Sequence, residues 1–304
     1  MNLPLHPRAT RQNGTVSRVE IFQQHRPRLF GIAYRMLGTV ADAEDVVQDA
    51  WIRWQKTTDA VDNPGAFLAT VVTRLSLNAL DSARVRRETY VGPWLPEPVD
   101  TSADPLLGAE KSEALSMAVL LLLERLTPAE RAAYVLHEAF DYPYRQIADV
   151  LETSEANARQ LASRARAHLD RERGVVVAQS DRVRLLEAFL AAAQSGDVRR
   201  LEHVLAADAV SISDGGGVVS AARKIVGGRE RVAQLILGVL EKFGEGIVPV
   251  PVEANGEVAM LGVRDGHPVA LWTVDIAPDG VRRLMIVLNP HKLEGFAAAA
   301  LSRS

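Results

Sequence analysis

Three stretches of this chain carry side chains whose type and spacing could do chemistry with a partner. Arg159, Arg164 and Arg166 recur on a helix that follows a three-residue turn, Glu152, Thr153 and Ser154. Guanidinium groups in such a row can bind phosphates, and a short helix, a turn and a second helix is the form that enters a DNA major groove. The same pattern also describes an ordinary helical hairpin with a solvated basic face. Asp42, Asp45 and Asp49 fall on one side of another helix, with Arg53 one turn beyond. That side either docks a basic partner helix or simply faces water. Arg74, Asn78, Asp81, Arg84, Arg86 and Arg87 form a polar face that grows more basic towards a helix end, where arginine also suits the helix dipole.

Composition removes other chemistries. There is no cysteine, so disulfides and thiolate metal sites are excluded, and a reducing, cytoplasmic compartment is expected. The seven histidines are far apart in sequence and show no metal-binding pair, so no metal and no cofactor are expected. No apolar run approaches the length that spans a bilayer, and the N-terminus lacks the apolar core of a signal peptide. The 304 residues carry a net charge of −3, too little positive charge to coat nucleic acid non-specifically. Lys and Arg number 12 against 11 Asp and Glu in residues 1–100, 9 against 12 in 101–175 and 14 against 15 in 176–304. Any DNA contact is therefore confined to particular helix faces.

The elements that must hold these side chains follow from pattern. Residues 1–15 read as a disordered lead-in. A helix is predicted over 16–37, with Pro27 kinking or splitting it and Gly38 closing it. Thr39 and Asp42 open the next helix, 42–56, on which Val46, Val47, Ala50, Trp51 and Trp54 line the apolar side. A helix over 65–87 follows a loop. Residues 89–108 collapse into an acidic, proline-rich linker, with Trp94 and Leu95 as an apolar anchor within it. A buried helix over 111–125 precedes Thr127-Pro128-Ala129-Glu130, a strong helix start. That helix ends near Phe140. The two helices of the basic hairpin complete a four-helix unit, 109–173, with Ser154 as the N-cap of the second.

Taken in order, these segments resemble the extracytoplasmic-function class of bacterial sigma factors. Asp42 to Trp54 is similar to the family's polymerase-binding helix, Asn63 to Arg87 to its promoter-melting and −10-reading segment, and Leu126 to Leu169 to its −35-reading domain. The resemblance implies core RNA polymerase and promoter DNA as partners. Asp42, Asp45, Asp49 and Arg53 then bind core polymerase. Arg74, Asn78, Arg84, Arg86 and Arg87 meet the −10 strand, and the loop 57–64 is the matching place for a base held outside the stack. Arg159, Arg164 and Arg166 contact phosphates of the −35 duplex, while Asn157 and Gln160 read base edges. Many members carry Gly in the hairpin turn where this chain has Glu152.

Members of this class end near residue 172, and this chain continues for about 130 residues. Helical patterns over 183–207 and 227–243 flank a short strand, 210–212. Four period-two runs follow, 247–252, 257–263, 269–276 and 282–288, parted by Asn255-Gly256, Asp265-Gly266 and Asp279-Gly280. The stretch 181–304 resembles the SnoaL-like branch of the nuclear-transport-factor-2 superfamily, an α+β cone. The expected architecture is therefore two all-α sigma domains, 16–88 and 109–173, plus that cone. Sigma factors with such a tail share Trp94 to Pro98, including Pro96, in the linker, Asp214, Gly215, Gly216 and Gly217 in the tail, and Asn289, Pro290 and Lys292 near the end, with His291 here in place of Asp. The resemblance implies a tail that modulates sigma activity, with an unknown small ligand in it as one expectation. His203, Asp214, Arg264, His267, Asp275 and Arg282 are available for acid/base work, but turn and strand positions favour structural roles, and no enzymatic activity is expected. A one-component ligand-responsive regulator and a cyclase or hydrolase fused to a DNA-binding module are the rival readings.

Overall fold

The computed structural model describes residues 17–102, 115–173, 177 and 179–301. The expected lead-in, the end of the linker and the start of the helix predicted at 111 lie outside the described residues. Helix α1 (Arg18–Leu37) opens on a complete capping box between Ser17 and Glu20 and closes at Gly38, whose N–H returns to the Tyr34 carbonyl. Pro27 does not split it. The lost N–H costs one bond, whereas burial of Phe22 before it and of Leu29, Ile32, Met36 and Leu37 after it holds both halves in line. Thr39 caps α2 (Val40–Lys56), and Asn63 with Pro64 at the first position starts α3 (Pro64–Glu88). The three helices close around Trp54, 3% exposed, whose ring lies 5.9 Å from Phe67.

The second helical unit holds α4 (Met117–Leu123), α5 (Pro128–Tyr134), which runs on through a π-helical turn at Val135–Ala139, α6 (Tyr144–Leu151) and α7 (Glu155–Arg173). Thr127 and Glu130 make the predicted capping box, and the Ser154 hydroxyl accepts the Asn157 N–H at 3.2 Å. Glu152 occupies the left-handed region, φ 52° and ψ 48°, where glycine is usual. Both units contribute to one apolar cluster that runs from Phe22 to Leu169. They are packed against each other rather than held apart.

The tail is the expected α+β cone. Helices α8 (Gln179–Ser195) and α9 (Val198–Val204) lead into β1 (Leu205–Asp214). The strand begins five residues before its predicted start, because Leu205 and Ala206 are wholly buried and Leu205 is already in register with Val281. A two-residue β2 (Val226–Gly227) precedes α10 (Arg229–Phe243). The meander β3 (Val248–Ala254), β4 (Glu257–Arg264), β5 (His267–Ala277) and β6 (Gly280–Val287) follows, then α11 (Pro290–Leu301). Sheet order is β2-β1-β6-β5-β4-β3, with β1 parallel to β6 and the other pairs antiparallel. No helix among the described residues is long and apolar enough to cross a membrane.

One face of the sheet is covered by α8, α9 and α10 through Phe189, Leu201, Val232 and Ile236. The other is covered by Leu293 and Phe296 of α11 together with Leu95 of the linker and Met117 and Ala118 of α4. The tail thus completes its core with residues from the N-terminal half. Asn255, a turn residue at φ 54°, is wholly buried in this seam. Its amide donates to the Tyr34 hydroxyl at 2.8 Å and the Leu115 carbonyl at 3.2 Å, and accepts the Val99 N–H at 3.2 Å. Asn255→Gly keeps the left-handed backbone but strands these groups, and should lower stability by about 2–4 kcal/mol. Chemical denaturation checks this; an unchanged midpoint would remove Asn255 from the account of docking.

Candidate functional site

On α2, Asp45, Asp49 and Arg53 are exposed, opposite the buried Val46, Val47, Ala50 and Trp54. Ile52 stands among them, an apolar side chain 38% exposed. Its place on the polar side of the helix was visible in the pattern, although only the charges were singled out from sequence. Asp42, two turns before Asp49 on the same side, is half-buried and already paired. Both of its oxygens accept from Arg86 Nη2, at 2.7 and 2.8 Å, and its N–H meets the Thr39 cap.

The five residues expected at the −10 strand are dispersed by the fold. Arg74, Asn78, Arg84 and Arg86 are exposed and only Arg87 is part-buried; Arg84 is paired to Glu88 one turn on. Arg86 is taken by Asp42. Arg87 lies 4.0 Å from the Trp94 ring centroid, donates to the Leu37 carbonyl and pairs with Glu124. Burial first, then the charge of Arg131, pulls its guanidinium down to about 9, still cationic at neutral pH. Arg131 shares the same Glu124 at 2.8 Å and donates to the Met36 carbonyl at 2.7 Å. Arg74 crosses to the other unit. It donates to the Val150 and Asp149 carbonyls at 3.1 and 2.9 Å and meets Glu152 at 3.2 Å, so it caps the negative end of α6.

On α7 the structure brings Asn157, Arg159, Gln160, Arg164 and Arg166 together on one exposed face, opposite Ala158, Leu161, Ala162, Ala165 and Leu169. Arg159 stacks on Tyr144 and pairs with Glu155 at 3.2 Å; Arg164 meets Glu130 at 3.0 Å and Arg166 meets Glu138 at 3.5 Å. Exposed pairs of this kind contribute about 0–1 kcal/mol, so phosphates can displace them at little cost. The far end of α7 is anchored to the tail. The Glu172 carbonyl accepts from Arg283 at 2.6 Å and Arg282 at 3.3 Å.

The linker and tail motifs converge on one buried junction. Asp214, wholly buried, accepts the Tyr90 hydroxyl at 2.6 Å through Oδ1 and the Leu95 N–H at 2.9 Å through Oδ2. Lys292 Nζ reaches Asp214 Oδ2 at 2.8 Å and also donates to the Leu95 carbonyl. The ammonium lies 4.6 Å from the Trp94 ring centroid and 5.2 Å from that of Tyr90, within cation–π range. Asn289 donates to the Tyr90 hydroxyl at 2.8 Å. Gly216, at φ 61°, lies so close to the Asn289 amide that a Cβ would collide with it. Pro96 is buried in the same seam, Pro290 begins α11, and His291 is exposed. Burial, and then Asp214, holds the Tyr90 hydroxyl above its ordinary range, while burial draws Lys292 below its own, opposed by Asp214. Tyr90 and Tyr34 were not singled out from sequence, since nothing local marks them.

The six possible acid/base residues of the tail fall in separate places. Asp214 is spent in the junction, and Asp275 pairs with Arg283 at 2.5 Å. Arg264 caps α10 through the Glu245 and Phe243 carbonyls, and Arg282 turns to Asp208 and Glu172. His203 on α9 and His267 at the start of β5 are exposed. Replacing Lys292 with Met leaves the Asp214 carboxylate uncompensated and should cost about 3–5 kcal/mol. Asp214→Asn combined with Lys292→Met should cost less than the two single changes summed. A double-mutant denaturation cycle tests this, and strict additivity would show that the pair is not coupled.

Residues 21–86 match the family described as Sigma-70 region 2, and residues 116–169 the one described as Sigma-70, region 4. The chain is 38% identical to the ECF RNA polymerase sigma factor SigJ of Mycobacterium tuberculosis, over 92% of this chain and 93% of that one. It is 30% identical to the probable ECF RNA polymerase sigma factor SigI of the same organism, over 91% and 95%. The crystal structure of the M. tuberculosis SigJ matches at a TM-score of 0.75 with 37% identity, covering 91% of this chain and 98% of that one.

Proposed function

The chain belongs to the ECF RNA polymerase sigma factors, which direct RNA polymerase to promoters, and we propose that its C-terminal domain holds it in a closed resting state. The observation that carries this reading is the junction of Asp214 and Lys292 with Tyr90 and Leu95, beside the Arg87–Glu124 contact. The −10 and −35 elements lie about 25 base pairs apart, roughly 85 Å of duplex at ten pairs per turn. Two reading units that share one apolar core, with Arg74 bonded into α6, must separate before both can engage. The tail opposes that separation because it grips both the linker and the end of α7.

In this reading Asp45, Asp49, Arg53 and Ile52 form the face for core polymerase. Asn78 and Arg84 stay available to the −10 strand, and Arg74, Arg86 and Arg87 join them when the closed state opens. Asn157 and Gln160 read −35 base edges while Arg159, Arg164 and Arg166 hold phosphates. The tail acts by position and not by catalysis, and the protein works in the cytoplasm alongside its polymerase.

Asp45→Arg with Asp49→Arg should weaken core binding at least about tenfold, or 1.4 kcal/mol, with the thermal midpoint unchanged. Arg159→Ala should bind core normally yet lose −35-dependent run-off transcription. Core binding by the double variant at full strength would move the polymerase face elsewhere. Lys292→Met, assayed below its own melting transition, should raise run-off transcription several-fold at limiting sigma. A fall in transcription by a folded Lys292→Met protein would overturn the closed-state reading.

A further inference from the structure

We infer that the seam between α1, the linker and α11 is a binding site for a small organic cation, an ammonium carrying one aromatic or branched apolar group. A cavity of about 280 Å³ opens there, with Phe30, Pro27, Pro98 and Phe296 among its apolar walls. That is room on the order of nine waters at about 30 Å³ each, the scale of a phenylalkylamine.

Charge selects the class of ligand. The charged groups on the wall are Arg26, Glu44, Glu97 and Asp100. Arg26 is already bound to Glu44 at 2.5 Å, and Asp100 accepts from Ser102 N–H and Oγ at 3.0 and 2.6 Å. Lys292, the nearby cation, hydrogen-bonds Asp214 and the Leu95 carbonyl, and its charge reaches Glu97 without a hydrogen bond to it. The wall is therefore net negative, and Glu97 is the group placed to receive a cation. Its Oε2 accepts the Val40 N–H at 2.9 Å, while its Oε1 is turned towards Gly295 across the cavity. Burial raises the Glu97 carboxyl above its usual range. A carboxylate in that setting gains from a charged donor.

Gly295 supplies an independent argument. It lies inside α11, between Leu293-Glu294 and Phe296-Ala297, where glycine costs about 1 kcal/mol relative to alanine. Its backbone is not left-handed, and the nearest atom to a Cβ built there is Glu97 Oε1, at 3.8 Å. Neither conformation nor crowding requires glycine. What its missing side chain does is keep open the space in front of Glu97.

The walls come from the first helical unit, the linker and the tail, so the cavity exists while the three are docked. A ligand there stabilises the docked arrangement by mass action. This inference does not depend on the closed-state reading, because it concerns occupancy and not transcription.

The test is calorimetric titration of the full chain with benzylammonium chloride, beside benzyl alcohol and sodium benzoate. Benzylammonium should bind saturably with Kd of about 1 mM or tighter, and the alcohol and benzoate at least about tenfold more weakly. Glu97→Gln keeps an acceptor for the Val40 N–H and should weaken benzylammonium by a similar factor. Gly295→Leu fills the cavity on a stronger helix former, so it should fold with an equal or higher thermal midpoint and lose binding. Absence of saturable binding to the unaltered chain, equal binding of alcohol and ammonium, or full binding by the folded Gly295→Leu or Glu97→Gln protein would each overturn the site.

Discussion

The sheet of the C-terminal domain has two faces, and covering the second is the constraint on which the rest of the molecule depends. Helices α8, α9 and α10 cover one. The other presents Ile212, Leu261, Leu271, Met285 and Val287, a continuous apolar surface that would be unfavourable in water by about 25 cal/mol for each Å² exposed. Leu293 and Phe296 of α11 meet part of it, and Leu95, Met117 and Ala118 meet the rest. Leu95 belongs to the linker, and Met117 and Ala118 to the first helix of the second unit. The tail is therefore built into the sigma domains and is not a bead on a tether.

Polar groups set the register within that apolar seam. A buried ion pair such as Asp214–Lys292 adds little net stability over apolar packing, because both charges have been taken out of water. It does penalise any arrangement that separates the partners. Since both charges also bind the main chain of Leu95, the linker is seated at one residue and not its neighbours. Glu124 plays a comparable part between the helical units, where it gathers Arg87 and Arg131. The arginines of α7 differ in kind. Their guanidinium groups stay more than half exposed, so they are held loosely enough to be exchanged for phosphate.

Much of this was legible in the sequence because the signals were local. Ser154 and Thr127 with Glu130 mark helix starts that need only a few neighbouring atoms to form. Asn255-Gly256 and Asp265-Gly266 supply the positive φ values that tight hairpins require. Where local signals failed, packing outweighed them. Pro27 sits in an unbroken helix because the core holds it on both sides, and Leu205 and Ala206 leave the helical pattern because the sheet needs them. Glu152 adopts a backbone suited to glycine, and its carboxylate meets Arg74 from the other unit, a contact 78 residues away in sequence. Gly295 and Ile52 were open to detection as a helix-interior glycine and an apolar residue on a charged face.

The sequence by itself determined the helices, the hairpins, the order of the two reading units and the α7 face that carries Asn157, Arg159 and Gln160. Each of these depends on period, caps and turn chemistry within a few residues. It also supplied three short motifs, around Trp94, Asp214 and Asn289, without saying that they are one place. Only the tertiary structure decided that Lys292 neutralises Asp214 across the linker, that Arg87 is drawn inward, that Arg74 reaches the end of α6, and that Asp42 pairs with Arg86. The physical reason is range: a cap or a turn is settled by near neighbours in the chain, whereas the partner of a buried charge is whichever group the packed core brings beside it.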